Sequence, residues 1–236
     1  MVAVTGASSG IGAATAVACA EAGAKVALGA RRTERIEELA ARIKADGGEA
    51  MAVTVDIADE QQVSRFVDAI CDRFGRIDAL VNNAAHGGSG AFSQGPRGAW
   101  RPTVDTNVTG TILCTEAVLP VMQAQGSGHI VNVSSVSGHR ALAGVGVYSA
   151  TKHAVNGFTE ALRQDLAGTG IRVTLIEPGT VLSEMTEKVL RERGTPPSAT
   201  VPPRALADAI VFALTQPDSV NVAVMTVLPA ADSRPW

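Results

Sequence analysis

The chain has 236 residues, enough for one α/β domain with a sizeable core or for two small ones. Hydrophobic residues make up 46% and aromatics only 3%, so the core has to be packed tightly from small side chains. The formal net charge is −3, from 20 basic and 23 acidic residues with no long run of either sign, which gives no support to nucleic-acid or membrane-surface binding.

No apolar run approaches the ~20 residues of a membrane-spanning helix. The first residues lack a basic region followed by an apolar core, so no signal peptide is visible. Cys19, Cys71 and Cys114 are far apart and odd in number. They suggest neither a disulfide framework nor a zinc site, which fits a reducing cytoplasmic setting. The four histidines share no metal-ligand spacing, so no metal is expected.

In chain order, Val2–Thr5 reads as a strand and Gly10–Gly23 as a helix. Lys25–Gly29 is a strand, and Thr33–Gly47 a helix with Thr33 as its N-cap. Ala50–Val55 is a strand, Asp59–Phe74 a helix and Ala79–Val81 a buried strand. Trp100–Gln125 holds a long helix. His129–Ser134, Ile171–Glu177 and Asn221–Leu228 complete seven strands, with helices at Val147–Leu166 and Arg204–Thr215. The alternation predicts an α/β fold, a parallel sheet with helices on both faces. The stretch "GTPPSATVPP", Gly194–Pro203, carries four prolines and reads as a surface loop, either a rigid connector or a lid.

"VTGASSGIG" spans Val4–Gly12, between the first strand and the first helix. Gly6, Gly10 and Gly12 let the backbone turn sharply and approach a ligand closely. The helix N-terminus then offers free amides and partial positive charge to a pyrophosphate. An acid at the end of the second strand would select NAD, and an arginine nearby NADP. Here Ala30 stands at that end, followed by Arg31 and Arg32. A guanidinium suits phosphate oxygens, so the missing acid favours NADP over a merely solvated basic pair.

The motifs together resemble the short-chain dehydrogenase/reductase (SDR) family over nearly the whole chain. They are "TGASSGIG", "VNNAA" at Val81–Ala85, "DTNVTG" at Asp105–Gly110, "VNVSSVSG", "YSATK" and "EPGTV", in that order. The resemblance implies a single Rossmann-like doubly wound domain over residues 1–236, with strand order 3-2-1-4-5-6-7 and a substrate loop at about 181–203. It implies catalytic roles for Asn107, Ser135, Tyr148 and Lys152. Ser134 competes with Ser135, but the latter precedes Tyr148 by 13 residues, closer to the family spacing. The cofactor residues so implied are Gly6, Ser8, Ser9, Gly10, Ile11, Gly12, Arg31, Arg32, Asp56, Ile57, Asn83, Tyr148, Lys152, Pro178, Gly179, Val181 and Ser183. Ala85 departs from the family's glycine, Ser183 replaces a frequent threonine, and the first strand begins almost at Met1.

Tyr148 is the only tyrosine in the chain, and Lys152 lies four residues on, on the same helical face. A free phenol titrates near ~10. A nearby ammonium favours the phenolate. Reaching ~7 takes roughly 4 kcal/mol, which Lys152 and an oxidised nicotinamide are expected to supply together. In this reading Tyr148 protonates a carbonyl oxygen, Ser135 donates a hydrogen bond to it, and, by resemblance, Asn107 positions a relaying water. His86, His139 and Arg140 flank the expected pocket, either to recognise substrate or as loop polarity. His129 and His153 read as structural.

The leading expectation is an NADP(H)-dependent oxidoreductase acting on a small carbonyl or secondary alcohol, of the 3-hydroxy acid dehydrogenase or aldehyde/ketone reductase type. The alternative is an NADP-binding redox-sensing regulator with little turnover. A sugar-nucleotide epimerase is disfavoured by the short region after Pro178. Small residues on two long helices, including Ala117, Ala150, Ala154 and Gly157, suggest a homo-tetramer or homo-dimer.

Overall fold

The computed structural model describes residues 1–88, 90–141, 143–192 and 194–232. Arg193 of the expected 181–203 loop and residues 233–236 of the expected domain lie outside them. The strands are β1 (Val2–Thr5), β2 (Val26–Ala30), β3 (Ala50–Thr54), β4 (Ala79–Asn82), β5 (Gly128–Val133), β6 (Ile171–Pro178) and β7 (Val224–Val227). They form one parallel sheet in the order β3-β2-β1-β4-β5-β6-β7, the expected Rossmann-like arrangement. The helices are α1 (Gly10–Glu21), α2 (Thr33–Ala45), α3 (Glu60–Phe74), α4 (Arg101–Val104), α5 (Gly110–Gln125), α6 (Gly146–Asp165), α7 (Glu184–Glu192) and α8 (Pro203–Leu214).

A strand buried on both faces reads as a continuous apolar run, and β1 and β2 are buried throughout. Side chains alternate across the pleat, so one strand feeds two cores. Val2 and Val4 of β1 face the cluster built with α1, α2 and α8, which includes Cys19, Ile36, Leu206 and Ile210. Ala3 faces the other, with Phe66 and Ile70 of α3, Cys114 and Met122 of α5, and Leu162 of α6. Burial pushes the thiols of Cys19 and Cys114 up to about 12, so both behave as small apolar fillers. Asp59 caps α3: its Oδ1 accepts from the Gln62 amide at 3.0 Å, and its Oδ2 accepts from the Gln62 side chain at 2.9 Å.

Three expectations need correction. Arg32, not Thr33, occupies the N-cap of α2, and the Thr33 hydroxyl instead pairs with that of Thr54 on the neighbouring strand at 2.6 Å. The long helix expected over 100–125 is interrupted by a π-helical turn, Asp105–Thr109. Proline inside α5, at Pro120, does not break it. The 181–203 region contains α7, which its polar sequence concealed, and the four-proline stretch holds a short 3₁₀ turn at Pro197–Ala199. Val181 and Val201 pair as an isolated bridge that ties the two ends of this region together.

Phe66 is 1% exposed, and its ring covers Gly29 of β2 so closely that a Cβ there would lie 2.9 Å from its Cζ. Phe66→Ala should lower the unfolding free energy by about 3–5 kcal/mol, read from urea denaturation midpoints.

Candidate active site

The strand order reverses between β1 and β4, and the crevice outside their carboxyl ends is where such sheets bind ligands. Thr5, the last residue of β1, bridges this point. Its hydroxyl donates to the Val81 carbonyl at 3.3 Å and accepts from the amides of Asn83 and Ala84 at 3.1 and 3.2 Å. The Asn83 side chain returns a hydrogen bond to the Thr5 carbonyl at 3.0 Å. The glycine turn after β1 is pressed against this seam. A Cβ on Gly6 (φ +67°) would lie 2.7 Å from the Ala84 Cα, and one on Gly12 would lie 2.4 Å from the Asn83 Nδ2 and 2.5 Å from the Gly6 carbonyl oxygen. No side chain fits at either position.

Above the turn opens a cavity of about 300 Å³. Its walls include Gly6, Ser8, Ser9, Ile11, Arg31, Arg32, Asp56, Ile57, Asn83, Ser135, Tyr148, Lys152, Pro178, Gly179, Val181 and Ser183. Gly10, Gly12 and Asn107 are not among the residues that line it. Gly29, Ala30, Val55, Ala84, Ala85, Thr106, Val133, Met185 and Thr186 also line the cavity. Several of these sit at the carboxyl ends of strands, a placement that only the topology reveals.

The first amides of any helix lack intrahelical partners. In α1 the N-cap residue Ser9 makes no capping hydrogen bond with its side chain. Its hydroxyl instead accepts from the Arg32 Nη2 at 2.7 Å, and the Ser8 hydroxyl accepts from the Arg32 Nε and Nη2 at 3.0 and 2.8 Å. The helix end therefore faces the cavity uncapped, a fit for the pyrophosphate of a dinucleotide. Arg31 lies 3.8 Å from Asp56. Arg32 donates to Glu184 of α7 at 2.7 Å, and Arg35 donates to the other oxygen of the same carboxylate. Neither Arg35 nor Glu184 was singled out in the sequence, because they are 149 residues apart.

At the opposite wall, α6 brings Tyr148 and Lys152 together. Tyr148 is half-buried; Lys152 is 3% exposed, and its ammonium lies 5.6 Å from the phenol ring centroid. The Lys152 Nζ donates to the Val133 carbonyl at the end of β5, at 2.9 Å. Ser135, 8% exposed, follows β5, and its hydroxyl accepts from the Ser137 amide at 3.1 Å. The neighbouring Ser134 also lines the cavity, but its hydroxyl is engaged by Asn156 and by the Lys152 carbonyl. Asn107 sits at the middle of the π-helical turn, 1% exposed. Its Oδ1 accepts from the His86 amide at 2.7 Å, and its Nδ2 donates to the Thr151 hydroxyl at 3.0 Å. Thr151 donates in turn to the Tyr148 carbonyl at 2.7 Å. Asn107 is thus tied to Tyr148 through the main chain of α6.

The electrostatics differ from the expectation in one respect. Burial raises the Tyr148 phenol above its ordinary value, and a hydrogen bond with Ser135 works against that rise. Lys152 is itself pulled down by burial, to about 8. Desolvation disfavours the charged form of both groups, so the protein's own side chains do not bring the phenol toward neutrality.

The histidines divide. His86 pairs with the Thr103 hydroxyl at 3.0 Å beside Asn107. His139 bonds Glu177, a carboxylate 2% exposed that also accepts from Asn156 at 3.0 Å and from Thr226 at 2.9 Å. That bond gives His139 a partner on β6, and His139 is not among the residues that line the cavity. His129 is buried against Thr174 and pulled down to about 3, chiefly by burial, and His153 bonds the Ser149 carbonyl. Among the described residues, no group of three or more His, Cys, Asp or Glu side chains could hold a metal ion. Among them, too, no helix is long and apolar enough to cross a membrane.

A parallel sheet with a phosphate-type turn at its switch point, facing a hydroxyl–ammonium pair across one cavity, defines a dinucleotide-binding oxidoreductase fold. The chain belongs to the short-chain dehydrogenase family, whose sequence profile matches residues 1–194. An uncharacterized oxidoreductase of Staphylococcus saprophyticus is 42% identical over 231 residues, covering 96% of this chain and 95% of that protein. Among solved structures, the closed form of a serine dehydrogenase complexed with NADP+ matches with a TM-score of 0.92 at 32% identity, covering 99% of this chain and 96% of that one. An actinorhodin polyketide ketoreductase variant with NADPH matches with a TM-score of 0.91 at 30% identity, covering 99% and 97%. The chain is an oxidoreductase of this family.

The lowered Lys152 value sets a pH dependence. Below about 8 the ammonium is charged in both folded and unfolded chains, and above the ordinary 10.5 it is neutral in both. Between the two, the unfolded chain holds the proton that the folded chain has released, so stability rises with pH. The denaturation midpoint of the wild type should climb relative to that of Lys152→Met between pH 8 and 10.5. Parallel curves across that window would show that Lys152 is not desolvated.

Proposed function

We propose that the protein is an NADP(H)-dependent oxidoreductase that moves a hydride between nicotinamide and a small carbonyl or secondary-alcohol substrate. Within that class we favour the 3-hydroxy acid dehydrogenase or aldehyde/ketone reductase type. The observation that carries this reading is the shared cavity: Ser135, Tyr148 and Lys152 face the same space as the glycine turn and the Arg31–Arg32 pair. The similar structures named for NADP+ and NADPH, a serine dehydrogenase and a polyketide ketoreductase, support both the cofactor and the hydroxyl/carbonyl chemistry.

The bound nicotinamide supplies or accepts the hydride. In the reducing direction Tyr148 gives its phenolic proton to the carbonyl oxygen, and Ser135 donates a hydrogen bond to that oxygen. Lys152 favours the phenolate left behind and holds the nicotinamide ribose. Asn107 anchors a water that returns protons from solvent. The turn of Gly6, Ser8, Ser9, Gly10, Ile11 and Gly12 takes the pyrophosphate, and Arg31 and Arg32 the 2′-phosphate. Asp56, Ile57, Asn83, Pro178, Gly179, Val181 and Ser183 supply the remaining walls. The 181–203 segment covers the substrate. Its root is fixed by the Val181–Val201 bridge, and Met185 and Thr186 of its helix reach the cavity.

Tyr148→Phe tests the proton donor. The ring still packs, so NADPH binding should stay within a few-fold of wild type, while turnover on a carbonyl panel falls by roughly 10²-fold or more. Near-wild-type turnover would remove Tyr148 from that role.

The reading extends to assembly and setting. Three free cysteines suit a cytoplasmic protein. On α6, Ala150, Ala154 and Gly157 are exposed, and a Cβ on Gly157 would meet nothing within 4 Å. We assign this open stripe to a two-fold contact in a homo-dimer or homo-tetramer. A charge placed on a two-fold axis meets its own copy. Ala154→Glu should therefore lower the mass measured by light scattering, and it should reduce activity because Tyr148 and Lys152 share the helix.

A further inference from the structure

We infer that Glu184 is a built-in competitor for the 2′-phosphate of the cofactor: its carboxylate occupies the anion position formed by Arg32 and Arg35 and must be displaced before NADP(H) can use those groups. The inference rests on the NADP(H) reading above and adds a residue that sets the strength of that preference.

The geometry is that of an anion site already filled. Arg32 directs its Nε and Nη2 to the Ser8 hydroxyl at 3.0 and 2.8 Å and its Nη2 to the Ser9 hydroxyl at 2.7 Å. That leaves Nη1, which donates to the Glu184 Oε2 at 2.7 Å. The Glu184 Oε1 accepts from the Arg35 Nη1. Each carboxylate oxygen therefore has its own guanidinium, the arrangement that phosphate oxygens also take. Ala30, at the end of β2, lines the same cavity and offers no acid of its own. The only carboxylate bonded to Arg32 or Arg35 among the described residues comes from α7, 152 and 149 residues further along the chain.

The hydrogen bonds from Arg32 and Arg35 hold the Glu184 carboxyl down to about 2, so it is charged throughout the neutral range. A phosphate monoester carries about −1.5 to −2 near pH 7. Two such anions repel one another and draw on the same donors. NADH carries no 2′-phosphate and can bind with the Glu184 contacts intact. Because Glu184 is the first residue of α7, and Met185 and Thr186 beside it line the cavity, its displacement also frees the first turn of the covering helix from α2.

Calorimetric titration of wild type and Glu184→Gln with NADPH, NADH, 2′-AMP and 5′-AMP tests the inference. The glutamine keeps the shape and removes the charge, and a thermal melt confirms that both proteins are folded. NADPH and 2′-AMP should bind the variant about three- to ten-fold more tightly, the size expected for two solvent-exposed ion pairs. NADH and 5′-AMP should change by less than about two-fold. Unchanged or weaker NADPH binding overturns the competitor role. Weaker NADH binding would instead make Glu184 an acceptor for the ribose hydroxyls, and that also overturns it. A wild type that binds neither dinucleotide brings down the NADP(H) reading first, before any variant is compared.

Discussion

Lys152 carries its ammonium to the Val133 carbonyl at 2.9 Å while only 3% exposed, and the site is assembled around that contact. A buried cation is costly unless its hydrogen bonds are made inside the protein. The bond to the end of β5 meets part of that demand and fixes the register of α6 against the sheet. The Ser134 hydroxyl, donating to the Lys152 carbonyl at 3.3 Å, ties the same two elements in the other direction. With α6 held this way, Tyr148 one turn earlier has little choice of position. Ser135, next in the chain after Ser134, is carried to the cavity wall.

A second polar seam lies beneath it. The Asn82 side chain of β4 donates to Thr115 of α5 at 3.1 Å and to Asn132 of β5 at 2.9 Å. Asn132 passes the chain on to Thr159 of α6 at 2.9 Å. Amides are awkward to bury, and one left without partners is expensive. This relay therefore specifies which strands and helices are neighbours under the site, where an apolar core of small residues would tolerate sliding. Thr5 does the corresponding work one strand over, where β1 meets β4.

Much of this was legible in the sequence because its signals are local. Strands buried on both faces appear as short apolar runs, and the glycine turn has its ligand geometry written into consecutive residues. Tyr148 and Lys152 announce themselves by helical spacing. What stayed hidden depends on tertiary contact. Thr33 has the chemistry of an N-cap, but its hydroxyl found Thr54 across the sheet edge. The α7 helix is polar and short, so its period was lost among charges, and the pairing of Glu184 with Arg32 and Arg35 spans most of the chain. The direction of the Tyr148 shift was missed for a related reason: spacing gives the nearby ammonium but not how far both groups are withdrawn from water.

The π-helical turn at Asp105–Thr109 fits one more residue into a helical turn than an α-helix would, and Asn107 stands at its centre. Loss of a single codon in that stretch would let the helix run on regularly from α4 into α5. The flanking turns would keep their phase, because the bulge is what absorbs the extra residue, but the widened turn that sets Asn107 between its partners would be gone. Asn107 could then no longer reach both His86 and Thr151. The molecule would gain a more regular helix and lose the tie between that helix and Tyr148, so drift toward the locally preferred geometry is blocked by what the irregular one holds in place.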